Sequence, residues 1–335
     1  MKYLNLTLVH LEEGIKVFFN NESNREVLFF YDENENYIQQ TTYPYVDIKA
    51  EEINTILKNS KEEILYVEEE CFLYYSFNYQ VSYAHYLTQC LPKLNFYLND
   101  LSKKLVIPKS TYNNLCKNIL SILKIPENNI IVLEDNVRYI FRDIDTIPHV
   151  GPQWNSAGGS INLDGIDLYH KLRNALNISP SKDVNRKVYL KRDQTAYVEY
   201  NNSEVGKYRY IINEDKLITL LLKNDFEVIT LGDKTIEEKV NYLKDIDILI
   251  TQLGANVCNL IFSNTIRNIL VLSNNKPIGQ KYYFDMIDML NLDNKTKDMF
   301  TYPCVNYGID PDNDTNTPFQ VDLNDINKYI KQKMK

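Results

Sequence analysis

The residues best suited to chemistry sit just after apolar runs that read as buried strands. Arg192 comes just after Lys187–Leu190, and a guanidinium at a strand's C-terminal end can take two phosphate oxygens in one bidentate contact. Gly254, Ala255 and Asn256 follow the run Ile246–Thr251 and open a helical pattern that ends at Phe262. Glycine permits a tight strand-to-helix turn, and the first N–H groups of a helix, with its dipole, attract an anion. The same three residues also fit an ordinary strand-to-helix turn. Asn259, on the helix opened there, is placed either to brace the turn or to reach a ligand. Arg209 precedes Asn213 and Glu214 by one helical turn. Glu214 can cap its own helix or accept hydrogen bonds from a ligand's hydroxyl groups. For proton abstraction near neutrality the candidate is His85, since an unperturbed imidazole titrates near pH 6.5. His149 ranks second, while His10 and His170 have no supporting neighbours.

Two acidic pairs have the spacing of metal ligands, Asp245 with Asp247 and Asp143 with Asp145. Asp245 and Asp247 stand where a strand that reads as buried begins, whereas ligands in open α/β sheets bind where strands end. No resident metal is therefore expected. Nor is any other cofactor: no GxGxxG turn is present for a dinucleotide, and no GxSxG elbow for a serine hydrolase.

Strands alternating with helices have to position these groups. Tyr3–Val9, Ile15–Phe19, Val27–Tyr31 and Ile64–Val67 read as strands separated by Asn/Glu-rich turns. Helical spacing then runs from Val81 to Leu101, and Pro92 is expected to kink or divide that helix. Lys104–Ile107, Ile130–Leu133 and Val137–Phe141 read as strands, and Ser110–Leu123 as a helix with Ser110 as its N-cap. Pro148–Gly159 reads as a boundary loop and Asp164–Leu176 as a helix. After Asn185 the pattern becomes β-α-β-α-β-α-β through Leu272, followed by a C-terminal helix in Val321–Lys335. The expected organisation is an α/β domain at 1–178, a Rossmann-like domain at 179–320 and a helix at 321–335 that packs back on the first domain.

Composition narrows the function classes. A net charge of −8 argues against nucleic acid as the main partner, since phosphate binding needs a basic surface. Five cysteines, odd in number and without a CxxC pair, fit a reducing compartment. No run reaches about 18 apolar residues and the N-terminus lacks a signal-peptide core, so a cytoplasmic protein without a transmembrane segment is expected. Lys328, Lys331, Lys333 and Lys335 form a local basic patch that reads first as a solvated helix end and, as the alternative, as a peripheral contact with a membrane.

Taken in order, KVYLKR (187–192), RYIINE (209–214), FEVITL (226–231), TIEE (235–238) and GANVCNLIF (254–262) resemble glycosyltransferase family 61. An upstream segment, HYLTQCLPK (85–93), is similar to that family's HWxxExLPR stretch. Several positions depart from the family pattern. Leu253 stands where many members have His, Asn256 for a Gly, Gln89 for a Glu, Lys93 for an Arg and Lys239 for a Gln. The resemblance implies a GT-B-like α/β fold, two Rossmann-like domains facing a cleft. It also implies inverting transfer from a nucleotide-sugar donor, a UDP-sugar in the commonest case, without dependence on a metal. The acceptor would be a hydroxyl on a glycan, a lipid-linked glycan or a protein. On that reading Arg192, Arg209, Asn213, Glu214, Gly254, Ala255, Asn256 and Asn259 bind the donor and His85 is the base. The rival is a glycan- or nucleotide-binding protein of the same fold that turns nothing over.

Overall fold

The computed structural model describes residues 3–4, 9–11, 15–20, 27–31, 63–75, 83–109, 111–134, 137–147, 161–192, 210–274, 287, 296–303 and 318–334. The chain divides into two compact units, Met1–Pro152 with Ser160–Leu172, and Gln153–Gly159 with Arg173–Lys335.

In the first unit, β1 (Tyr3–Leu4), β2 (Val9–Leu11), β3 (Ile15–Asn20), β4 (Val27–Tyr31) and β5 (Glu63–Leu73) precede a helical stretch, α1 (83–97). Then come β6 (Lys104–Pro108), α2 (Asn114–Ile122), β7 (Ile130–Leu133), β8 (Val137–Thr146), β9 (Ile161–Asn162) and α3 (Leu163–Ala175), whose last residues, from Arg173, belong to the second unit. Among the described residues the main sheet has the order β4-β3-β8-β5-β6-β7, with β2 also on β8. β7, β6, β5 and β8 run parallel, as the alternation of strands and helices implies. By contrast, β2, β3 and β4 pair antiparallel. Too few residues separate β3 from β4 for the crossover that parallel pairing requires. β5 is longer than its apolar core Ile64–Val67. Its exposed Glu68, Glu69 and Glu70 lie at a shift of register, beyond which Cys71, Phe72 and Leu73 are buried again.

α1 is not one regular helix. Tyr83–His85 is α-helical, Tyr86–Cys90 is π-helical, Leu91–Lys93 is 3-10 and Leu94–Tyr97 returns to α. Pro92 has no N–H to give the carbonyl one turn back, and the winding changes around it. The buried face, Tyr86, Leu87, Cys90, Leu91, Leu94 and Tyr97, follows the spacing seen in the sequence. α2 begins later than expected, because Asn113 and not Ser110 caps it. The Asn113 side chain accepts from the Cys116 N–H at 3.0 Å, while residue 110 lies outside the described set.

The second unit contains β10 (Arg186–Leu190), α4 (Glu214–Leu222), β11 (Glu227–Ile229), α5 (Ile236–Tyr242), β12 (Ile246–Gln252) and α6 (Ala255–Cys258), which continues as a 3-10 turn, Asn259–Phe262. Among the described residues β13 (Ile266–Asn274), β14 (Thr296–Tyr302) and α7 (Leu323–Lys333) follow. The unit's five strands among the described residues are all parallel, in the order β11-β10-β12-β13-β14. That is the doubly wound Rossmann-like arrangement, in which the chain leaves β10 to one side and later returns on the other.

One sheet face presents Tyr189, Ile248, Ile250, Leu270 and Leu272 to a core shared with Leu217 and Leu221 of α4 and Ile326, Tyr329 and Ile330 of α7. The alternate residues Val188, Leu190, Leu249, Ile269 and Val271 are equally buried and belong to the opposite face. The expectation that the C-terminal helix packs back on the first domain is therefore corrected. Its apolar stripe, Ile326, Tyr329 and Ile330, is buried in the core of the second unit, and Phe319 before it bridges Ile211. Among the described residues no helix is long and apolar enough to cross a membrane.

Candidate functional site

The order of the parallel sheet puts its topological switch point between β10 and β12, and open α/β sheets receive ligands at the C-terminal ends of strands beside such a point. Lys191 and Arg192 leave β10 there, and Leu253 and Gly254 leave β12. The Leu253 N–H still donates to the Leu272 carbonyl at 2.8 Å, so β12 is held to its very end. Gly254 then turns with φ 145° and ψ −158°, a region that only glycine enters without strain. The turn closes through the Val257 N–H, 3.0 Å from the Gly254 carbonyl, and α6 begins. The first N–H groups of a helix have no carbonyl partner within it, so Ala255 and Asn256 present their amides at the switch point.

Side chains stitch this edge together. The Thr251 hydroxyl donates to the Leu190 carbonyl at 3.1 Å, and the Asn256 amide reaches the same carbonyl at 3.5 Å. Asn259 donates to the Asn256 carbonyl at 3.1 Å, which makes it a brace of the turn. The Arg192 guanidinium lies against Gly254: a β-carbon built there would meet its Cζ and Nη1 at 3.9 Å. Arg192, Gly254, Ala255, Asn256 and Asn259, named from sequence, thus converge on one edge.

Asn213 and Glu214 occupy the start of α4, but both side chains already have protein partners. The Asn213 amide donates to the Val321 carbonyl at 2.9 Å and accepts from the Val321 N–H at 3.0 Å, so it holds the segment leading to α7. The buried Glu214 carboxylate accepts from the Tyr189 hydroxyl at 2.7 Å instead of capping its own helix. Burial, and then the Glu214 charge, hold the Tyr189 hydroxyl well above its usual pKa, so it remains a donor. The other Glu214 oxygen is 3.6 Å from the ammonium of Lys191, a residue the motif reading passed over. Its place next to Arg192, immediately after β10, was the available signal.

His85 ends the α-helical turn of α1, immediately before the π-helical residues; its side chain and that of Gln89 lie outside the described set. Arg209 and His149 fall outside it altogether. Farther along α1, the buried Lys93 ammonium donates to the Tyr75 carbonyl at 3.2 Å and stands 4.2 Å from that residue's ring centroid. Burial lowers its pKa to about 8. Lys239, on the buried face of α5, is likewise lowered to about 8 by burial.

The acidic pairs are occupied elsewhere. Asp245 and Asp247 stand at the start of β12, the opposite end of that strand from Gly254. Asp245 accepts from the Asn264 amide at 2.9 Å, and Asp247 faces Arg267 at 3.9 Å. Asp145 is ion-paired with Lys103, and Asp143 accepts from Arg142 at 2.8 Å. Among the described residues no group of three His, Cys, Asp or Glu side chains is placed to hold a metal ion.

The edge of β10 and β12 offers a guanidinium, helix-start amides and a glycine turn, a combination that suits an oxyanion of phosphate type. The model of the family described as Glycosyltransferase 61 matches residues 83–270, more than half of the chain. The matched stretch takes in α1 with His85 and the whole β10–β12 edge. No curated protein matches the chain.

Proposed function

The chain belongs to glycosyltransferase family 61 and is a glycosyltransferase, and from that membership we propose how it binds its donor and transfers the sugar. The donor is a nucleotide-sugar, in the first instance a UDP-sugar, and its diphosphate rests on the β10–β12 edge. The observation carrying this reading is the Arg192 guanidinium set against the positive-φ turn of Gly254 at the switch point. As the bond between the anomeric carbon and the diphosphate oxygen breaks, the electron pair stays on the leaving phosphate. Arg192 and the amides of Ala255 and Asn256 are preorganised to take up that charge, the role a metal plays in other transferases.

The acceptor oxygen attacks the anomeric carbon from the face opposite the leaving group, which inverts the configuration, and His85 receives the acceptor proton. Labour divides in the GT-B manner, with residues 1–178 serving the acceptor and 179–320 the donor. The acceptor is a hydroxyl on a glycan or glycoconjugate, and no resident metal takes part.

The test is titration of the purified chain with nucleoside diphosphates and nucleotide-sugars, with and without EDTA, followed by calorimetry and thermal unfolding. Ligand at about 100 times its dissociation constant stabilises the fold by about 2.7 kcal/mol. The expected response survives EDTA and is lost in Arg192→Ala. A response abolished by EDTA would assign the phosphate charge to a metal, and no response to any nucleotide would remove the donor from this edge. The anomeric configuration of the product, read by NMR, tests inversion.

A further inference from the structure

We propose that Lys191 is a second diphosphate-binding cation of the donor site, braced in place by Glu214; the inference rests on the donor reading of the β10–β12 edge. The Lys191 N–H donates to the Ile229 carbonyl at 2.8 Å, so its backbone is still fixed in the parallel ladder where β10 ends. Lys191 and Arg192 are the first two residues after β10, and they reach different neighbours: the Lys191 ammonium faces Glu214, and the Arg192 guanidinium lies against Gly254.

Glu214 explains how the first of these is held. The Glu214 residue is only 8% exposed, and a buried carboxylate is costly unless a cation and hydrogen bonds compensate it. The Tyr189 hydroxyl satisfies one oxygen at 2.7 Å, and Lys191 stands 3.6 Å from the other. That separation is too long for a tight hydrogen bond, and the Lys191 side chain retains 32% of its exposure. The ammonium thus has a buried anion behind it and an open side at the strand end. A departing diphosphate carries more negative charge than one guanidinium neutralises, and a second cation at the same strand end supplies the difference.

The experiment measures UDP affinity by calorimetry at two salt concentrations for the wild-type chain and for Arg192→Ala, Lys191→Met and Lys191→Arg. Lys191→Met is expected to weaken UDP binding about tenfold or more and to flatten its salt dependence, while Lys191→Arg, which keeps the charge, retains most of the affinity. Should Lys191→Met alone fail to fold because Glu214 is left uncompensated, the pair Lys191→Met with Glu214→Gln removes both charges. That variant is expected to fold and to show the same loss. Unchanged UDP affinity in the Lys191 variants, with affinity lost in Arg192→Ala, would overturn the role of Lys191 and leave the donor site standing. No loss in Arg192→Ala, or no UDP binding by the wild type, would overturn the donor site and this inference with it.

Discussion

The Arg192 guanidinium sits at ordinary van der Waals distance from the place a β-carbon would occupy on Gly254, 3.9 Å for both Cζ and Nη1. Space therefore does not demand glycine at 254; the backbone does, through its φ of 145°. Gly254→Ala is expected to lose about 1–3 kcal/mol of stability in urea unfolding, the usual cost of a side chain in that region. Arg192→Ala should leave stability nearly unchanged. Both should weaken nucleotide binding, one by moving the turn and the other by removing the charge. Equal stability of Gly254→Ala and wild type would mean that the turn relaxes freely and holds nothing in place.

Arg192→Lys separates charge from geometry. Lysine keeps the positive charge but not the planar fork that grips two oxygens, and hydrogen bonds to charged groups contribute about 1.5–3 kcal/mol. UDP affinity measured by calorimetry should fall about tenfold. Full affinity in Arg192→Lys would show that a point charge suffices and that the bidentate contact is not made.

The second unit was legible in the sequence because its strands are buried on both faces. Val188, Leu190, Leu249 and Ile250 leave continuous apolar runs with clear turns between them. The capping box of Thr235 and Glu238 likewise announces the start of α5. β14 escaped notice because Lys297 and Asp298 interrupt its apolar pattern, and β5 was cut short by Glu68–Glu70. At the candidate site, Arg192 and Gly254 could be found because each lies just past the end of a strand. The partners of Asn213, Glu214 and Lys191 could not, since Val321 is 108 residues from Asn213 and only the fold brings them together.

The C-terminal helix should be part of the folding unit that carries the donor site. Ile330 is fully buried against the core shared by α4 and the sheet. Ile330→Ala is expected to cost about 2–5 kcal/mol through lost burial and the cavity left behind. Lys331→Ala, on the exposed side of the same helix, should stay within about 0.5 kcal/mol of wild type. Denaturant midpoints for the two variants check this. A small effect at Ile330 would mean that α7 is peripheral to the core.

The buried Lys93 should give the first unit an unusual pH dependence. Its pKa is about 8 in the folded chain, below the ordinary 10.5, because burial disfavours the ammonium. Below pH 8 both folded and unfolded states carry the proton, and the folded state bears the full cost of the buried charge. Between pH 8 and 10.5 the unfolded chain binds more protons at this site, so its contribution to stability rises with pH, by up to about 1.4 kcal/mol per unit. The buried thiols Cys71, Cys90, Cys116 and Cys258, all raised to about 11 or 12, pull the other way once unfolded cysteines ionise near pH 9. Lys93→Met carries the same thiols and is the proper reference. Urea unfolding at pH 7.5, 8.5 and 9.5 should show wild type gaining on Lys93→Met at each step. Curves that stay parallel across this range would mean that Lys93 keeps an ordinary pKa and that its ammonium, bound to the Tyr75 carbonyl and ring, is buried without penalty.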